Sequence, residues 1–265
     1  MQTTLSSMPI PRRPDLVLVW GMVVAAWVVT MLLVATGGGE YIVNHDAVLE
    51  RQRFAWPVTI ALFLASWQLM TAAMMLPSSM PMMVMFLRVS RTGERRRLRF
   101  LTFLLGYFAV WTGFALGALA GDVGVHWLVE TLPALAARPW LIGGTILVLA
   151  GAFQFSPLKE QCLDACRDPL TFFWKHYIAK SRSAWHLGLR HGLFCLGCCW
   201  ALMLTMFAVG MGSLVWMTAL AGIMVIEKVT RYGHRLATPI GIVLIVWGVL
   251  VGLNVDWLPA AIRGS

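Results

Sequence analysis

Apolar residues run along this chain in long blocks broken by short polar stretches, and the blocks are too long to be strands. A helix rises ~1.5 Å per residue and the hydrocarbon core of a bilayer is ~30 Å thick, so about 20 apolar residues suffice to cross it. Seven stretches reach or approach that length: Leu16–Thr36, Pro57–Leu76, Phe100–Ala120, Pro139–Ser156, Arg190–Val209, Met211–Ile226 and Pro239–Val255. The pattern predicts an all-α fold, a polytopic transmembrane helix bundle of about seven spans forming one integral membrane domain over residues 1–265. Spans five and six are joined so tightly that a helical hairpin is expected, with Gly210 and Gly212 supplying the turn. The first block is longer than the ~7–15 residues of a signal-peptide core, and no A-x-A site follows it, so it reads as an uncleaved helix.

Composition strengthens this picture. Apolar residues make up 59% of the chain and charged residues 12%, with a mean hydropathy of +0.75. A soluble domain carries roughly 45–50% apolar and about 25% charged residues. An ordinary soluble enzyme and a disordered chain are thereby excluded. The net charge of +9 is read first as an orientation signal, not as a nucleic-acid footprint. Seventeen of the 21 Lys and Arg residues fall before span 1 or between spans 2–3, 4–5 and 6–7; Arg51, Arg53, Arg138 and Arg263 fall on the other side. This split predicts a multi-pass inner-membrane protein with its N-terminus in the cytoplasm and its C-terminus outside. The longest non-spanning piece is a cytoplasmic loop, 157–189. Within it Asp168-Pro169 reads as a helix start, and Leu170, Phe173, Trp174, Tyr177 and Ile178 form an apolar stripe. A basic amphipathic helix on the membrane surface, or a helix packed on neighbouring loops, fits that stripe.

The cysteines carry the most chemical information. Cys162 and Cys166 are one turn apart just past span 4, and Cys195, Cys198 and Cys199 lie in the first half of span 5. At ~100° per residue, His191, Cys195, Cys198 and Cys199 share an arc of about 100° on one helix face. The charge topology puts both clusters near the cytoplasmic face, where thiols stay reduced, so metal binding or thiol chemistry is expected instead of a disulfide framework. The spacings CxxxC and CxxCC match no standard zinc finger.

Methionine is concentrated too. Seven of the 16 methionines fall between Met70 and Met85, at the inner end of span 2. Thiolates and thioethers are soft ligands suited to Cu(I), and Met70, Met74 and Met75 could line a soft path. Pro77 and Pro81 predict a kink or break there. Glu227 closes span 6 and is a further candidate ligand, with an ion pair at the interface as the plainer reading. Two weaker cation sites are suggested outside: Asp122, His126 and Glu130 on one helical face, and Glu40, His45 and Asp46 in another loop.

The motifs W-x-x-M-T-A-A-M-M-x-P (Trp67–Pro77), Cys162-x-x-x-Cys166-Arg-Asp-Pro169, His191-Gly-x-x-Cys195-x-Gly-Cys198-Cys199-Trp200-x-Leu-Met203 and Glu227-Lys228 resemble an uncharacterised bacterial family of predicted metal-binding integral membrane proteins. The resemblance spans roughly Ala55–Arg235 and implies a multi-spanning membrane protein with a metal role.

These readings converge on a membrane protein that binds or moves a soft transition metal, copper(I) first and zinc as the alternative, and they single out no catalytic residue. The candidate ligands are Cys162, Cys166, His191, Cys195, Cys198, Cys199, Met70, Met74, Met75 and Glu227. A soluble metal carrier or a second membrane subunit would be the partner besides the bilayer, and no nucleic acid is expected. Two other readings stay open: a membrane thiol-redox protein, and a non-catalytic membrane subunit of a larger assembly.

Overall fold

The computed structural model describes residues 13–36, 55–90, 95–176, 181–210, 213–230 and 232–254. Every element among them is a helix. In chain order they are α1 (Arg13–Ala35), α2 (Trp56–Val89), α3 (Arg96–Thr131), α4 (Pro133–Ala136), α5 (Trp140–Phe153), α6 (Pro157–Arg167), α7 (Pro169–His176), α8 (Ser181–Val209), α9 (Leu214–Val229) and α10 (Gly233–Gly252).

Five helices are long and apolar enough to cross a membrane: α1, α2, α3, α8 and α10. The pair α5–α6 makes a sixth if its 64° bend is counted within one span. The expected sixth span appears as α9, whose 16 residues are shorter than a typical crossing. Conversely, α2 and α3 run 34 and 36 residues, well beyond the ~20 that a bilayer requires.

α2 and α8 form the centre, with more than half of their apolar windows buried, whereas α1 and α10 bury less than a quarter and present apolar side chains outward. The most extensive pairings are α5 with α10 and α3 with α8. Both depend on glycine. A Cβ on Gly144 would lie 2.8 Å from the Gly248 carbonyl oxygen, and one on Gly248 would lie 2.7 Å from that of Gly144. Bare backbone on both sides lets the helices meet, which is how spanning helices gain dispersion contacts without a hydrophobic drive between them. Gly106 against Trp185 does the same for α3 and α8. Gly210, at φ +91°, makes the expected turn after α8; Gly212 lies outside the described residues.

Two expectations need correction. α2 is not broken at Pro77 and Pro81 but passes through both as one helix. Pro77 has no N–H to offer the Ala73 carbonyl four residues back. The Trp27 indole of α1 donates to that carbonyl at 3.2 Å instead, so the freed acceptor keeps a partner. The piece 157–189 is not an open loop either: α6 packs on α8 and α9, α7 packs on α2, and α8 already begins at Ser181. The expected start of α7 is present, because the Asp168 carboxylate accepts from the Thr171 backbone N–H at 3.0 Å. Hydrogen bonds from Thr171 hold that carboxyl below its ordinary range. The stripe differs, however: Phe172 and Phe173 face the core, while Trp174 is 92% exposed. Tyr177 and Ile178 lie outside the described residues.

Gly248→Val should separate α10 from α5, at a cost of about 1–3 kcal/mol as for other overpacked sites. Gly117→Val, which meets nothing within 4 Å, is the control. Thermal unfolding in detergent should show a lowered Tm for the first variant only.

Candidate metal-binding site

α6, α8 and α9 bring their polar side chains to one end of α2. On α8, His191, Cys195, Cys198 and Cys199 share a face, as their spacing requires, and all are buried. The Cys198 and Cys199 sulfurs are 3.5 Å apart, and the Cys198 thiol donates to the Cys195 carbonyl at 3.2 Å. Cys199 reaches Cys195, and Cys166 of α6 reaches Cys198. Four of the five thiols are therefore linked pair by pair, in the order Cys166, Cys198, Cys199 and Cys195. Cys162 seats elsewhere on α8, against Gly197, where a Cβ would overlap its sulfur.

Cys195 holds the polar centre of this group. The Tyr107 hydroxyl of α3 lies 3.2 Å from its sulfur and the Ser79 hydroxyl of α2 lies 3.8 Å away. The Lys228 ammonium of α9 donates to it at 3.1 Å and to Ser78 Oγ at 3.1 Å. His191, one turn before Cys195, is stacked beside Phe103 and Tyr107 with ring centroids 5.9 and 5.2 Å away. Neither of its ring nitrogens has a hydrogen-bond partner. A fully buried imidazole without partners is costly to keep unless something else takes up its lone pair.

α2 and α8 pass each other in a register set by two contacts. Ser79 faces Cys195, and twelve residues along each helix Trp67 faces Phe207, with ring centroids 5.9 Å apart. Twelve residues of helix rise about 18 Å. Between these contacts lie Met70, Met74 and Met75 on α2 and Cys199, Met203 and Met206 on α8, all buried. Their spacing from Trp67 and from Cys195 follows the helical repeat that keeps residues on one face. α9 packs on α2 and adds Met217 and Met224, also buried.

Glu227 is engaged elsewhere. Its carboxylate accepts from the Lys159 ammonium of α6 at 2.8 and 3.0 Å, and Lys159 also donates to Gln154 at the end of α5. Both members of the ion pair are buried. Glu227 is thus the counter-ion of Lys159, the plainer of the two readings its sequence position offered. Among the described residues, no three His, Cys, Asp or Glu side chains converge closely enough to hold an ion between them. A closed tetrahedral Cys/His site, the geometry zinc requires, is not preformed. The donors that do meet are soft sulfur, which fits a low-coordinate cuprous ion.

The comparison with known families is decisive at this point. Residues 64–251 match the family model described as PpoB2, copper chaperone. The chain belongs to this family. The matched segment begins inside α2 and ends inside α10, so it holds every thiol and all of the register just described, with α1 outside it. No curated protein and no solved structure matches the chain.

Several residues at this PpoB2 site were not legible as site residues. Nothing in their local sequence singles out Tyr107, Ser78 or Ser79. Lys159 read as a loop lysine. Lys228 read as a residue at the membrane interface; its position directly after Glu227 at the end of an apolar run was the signal available. Of the weak outer sites, His126 and Asp122 pair within α3 through Nδ1, 3.0 Å from the Asp122 carbonyl oxygen. Glu40, His45 and Asp46 lie outside the described residues.

Removing one member of a buried ion pair strands the other, at about 3–5 kcal/mol. Lys159→Met should therefore lower the Tm sharply, and the double variant Lys159→Met/Glu227→Leu should recover most of the loss. A double variant no more stable than the single one would show that the pair is not what anchors α6.

Proposed function

We propose that the protein is a membrane-embedded Cu(I) chaperone that takes up the ion at the Cys166/Cys195/Cys198/Cys199 cluster and passes it along sulfur. His191 is the flanking nitrogen donor. Met70, Met74 and Met75 continue the donor column along α2, joined by Met203 and Met206 of α8. The observation that carries this reading is the buried chain of pairwise thiol contacts between α6 and α8, beside which Met70, Met74, Met75, Met203 and Met206 are also buried. Soft donors select soft ions, and the family description supports copper as the cargo.

The finer topology belongs to the same proposal. We read α9 as a short seventh crossing and take the side rich in Lys and Arg as cytoplasmic, which puts the thiol pocket near the inner face of the inner membrane. A soluble carrier or a second membrane subunit would deliver or receive the ion there. The thiol-redox reading is weaker at Cys198–Cys199. Neighbouring Cα atoms are ~3.8 Å apart, and disulfides usually need 4.4–6.8 Å.

The test is metal content. Protein purified anaerobically and loaded with Cu(I) should retain about one ion per chain through gel filtration, as a soft-donor site requires. The variant with Cys195, Cys198 and Cys199 changed to Ser should retain less than about a tenth of that. Absence of copper in the wild type together with a reversible disulfide would support the redox reading and overturn this one.

A further inference from the structure

Lys228 is the one residue in this pocket that a metal site would not be expected to contain. Its ammonium is buried, donates to Cys195 Sγ and Ser78 Oγ, and lies within electrostatic reach of Cys166, Cys198 and Cys199. A buried charge needs a counter-charge close by. The nearest carboxylate along the chain, Glu227, is already neutralised by Lys159. The groups its ammonium touches, Cys195 Sγ and Ser78 Oγ, carry no fixed charge, so the charge that answers Lys228 would be the thiolate formed when a metal ion binds.

We propose that Lys228 is the residue that sets the charge selectivity of the site, admitting a monovalent soft cation and rejecting a divalent one. The inference rests on the copper reading above. Cysteine binds metal as thiolate. Two thiolates and one cuprous ion carry a net charge of −1, which the ammonium brings to zero. Two thiolates and a zinc ion are already neutral, so the ammonium would leave a whole positive charge in a low-dielectric interior. Its direct repulsion of the bound ion is also doubled for a divalent cation. Zinc could regain neutrality by recruiting a third thiolate. Among the described residues, however, no three such side chains are placed to share an ion. Serine and tyrosine hydroxyls around Cys195 add hydrogen bonds but no charge, so among the described residues that touch Cys195 the ammonium of Lys228 is the charged one.

The experiment is a metal competition on the full chain in detergent under anaerobic conditions. Cu(I) is titrated against a cuprous chelator and Zn(II) against a zinc-binding dye, for the wild type and for Lys228→Met, Lys228→Gln and Lys228→Arg. Lys228→Met and Lys228→Gln should bind zinc about tenfold or more tightly than the wild type, because the doubled repulsion is gone. Lys228→Arg keeps the charge and should go on excluding zinc. The glutamine variant can still hydrogen-bond in the pocket, so it carries the test where the methionine variant fails to fold. Unchanged zinc affinity in folded Met and Gln variants that still bind Cu(I) would overturn the selectivity inference and leave the copper reading standing. Failure of the wild type to bind Cu(I) would overturn both.

Discussion

Two ammonium groups, Lys159 and Lys228, are buried at the same end of this helix bundle. An unpaired charge in so apolar an interior would cost more than a typical domain's whole margin of stability. Lys159 is neutralised by the Glu227 carboxylate, and Lys228 is held by hydrogen bonds to Cys195 and Ser78. Because Glu227 and Lys228 are neighbours on α9, the two pairs are mechanically one device. The first ties α6 to α9, and so brings Cys166 to the α8 thiols; the second ties α9 to the thiols directly. Charge compensation thus does what a loop alone could not, and fixes three separate helices around one cluster of sulfur.

The rest of the bundle packs as apolar helices long enough to cross a membrane are expected to. Lipid offers no hydrophobic gain for helix association, so contact must come from shape. Gly144 and Gly248 let α5 and α10 touch backbone to backbone, and Gly106 does so for α3 against α8. These close seams leave α2 and α8 separated by side chains over the stretch between Ser79–Cys195 and Trp67–Phe207. Methionine fills that space well, being long, unbranched and polarisable. The same property would make it a donor column under the proposed function, so packing and ligation would call for one residue type here.

Much of this was readable in the chain. The apolar blocks announced helices, the i, i+4 and i+7 spacings announced which thiols share a face, and Asp168-Pro169 announced the start of α7. What could not be read was long-range pairing. Pro77 looked like a helix breaker because the acceptor it frees, the Ala73 carbonyl, is answered by Trp27, 46 residues before Ala73. For Glu227 an ion pair was the plainer reading, but its partner was not legible, because Lys159 lies 68 residues away. Lys228 looked like a residue reaching for the interface, since nothing local reveals that it turns inward to Cys195. In each case local pattern gave the element, and a partner distant in sequence decided its role.

The central claim is that soft sulfur donors, converging on Cys195, hold a cuprous ion inside the bundle. X-ray absorption at the copper edge, on anaerobically loaded protein, tests it most directly. A first shell dominated by sulfur, with low coordination number, is the result this structure predicts. A shell of oxygen and nitrogen donors, unchanged when the α8 thiols are replaced by serine, would contradict it.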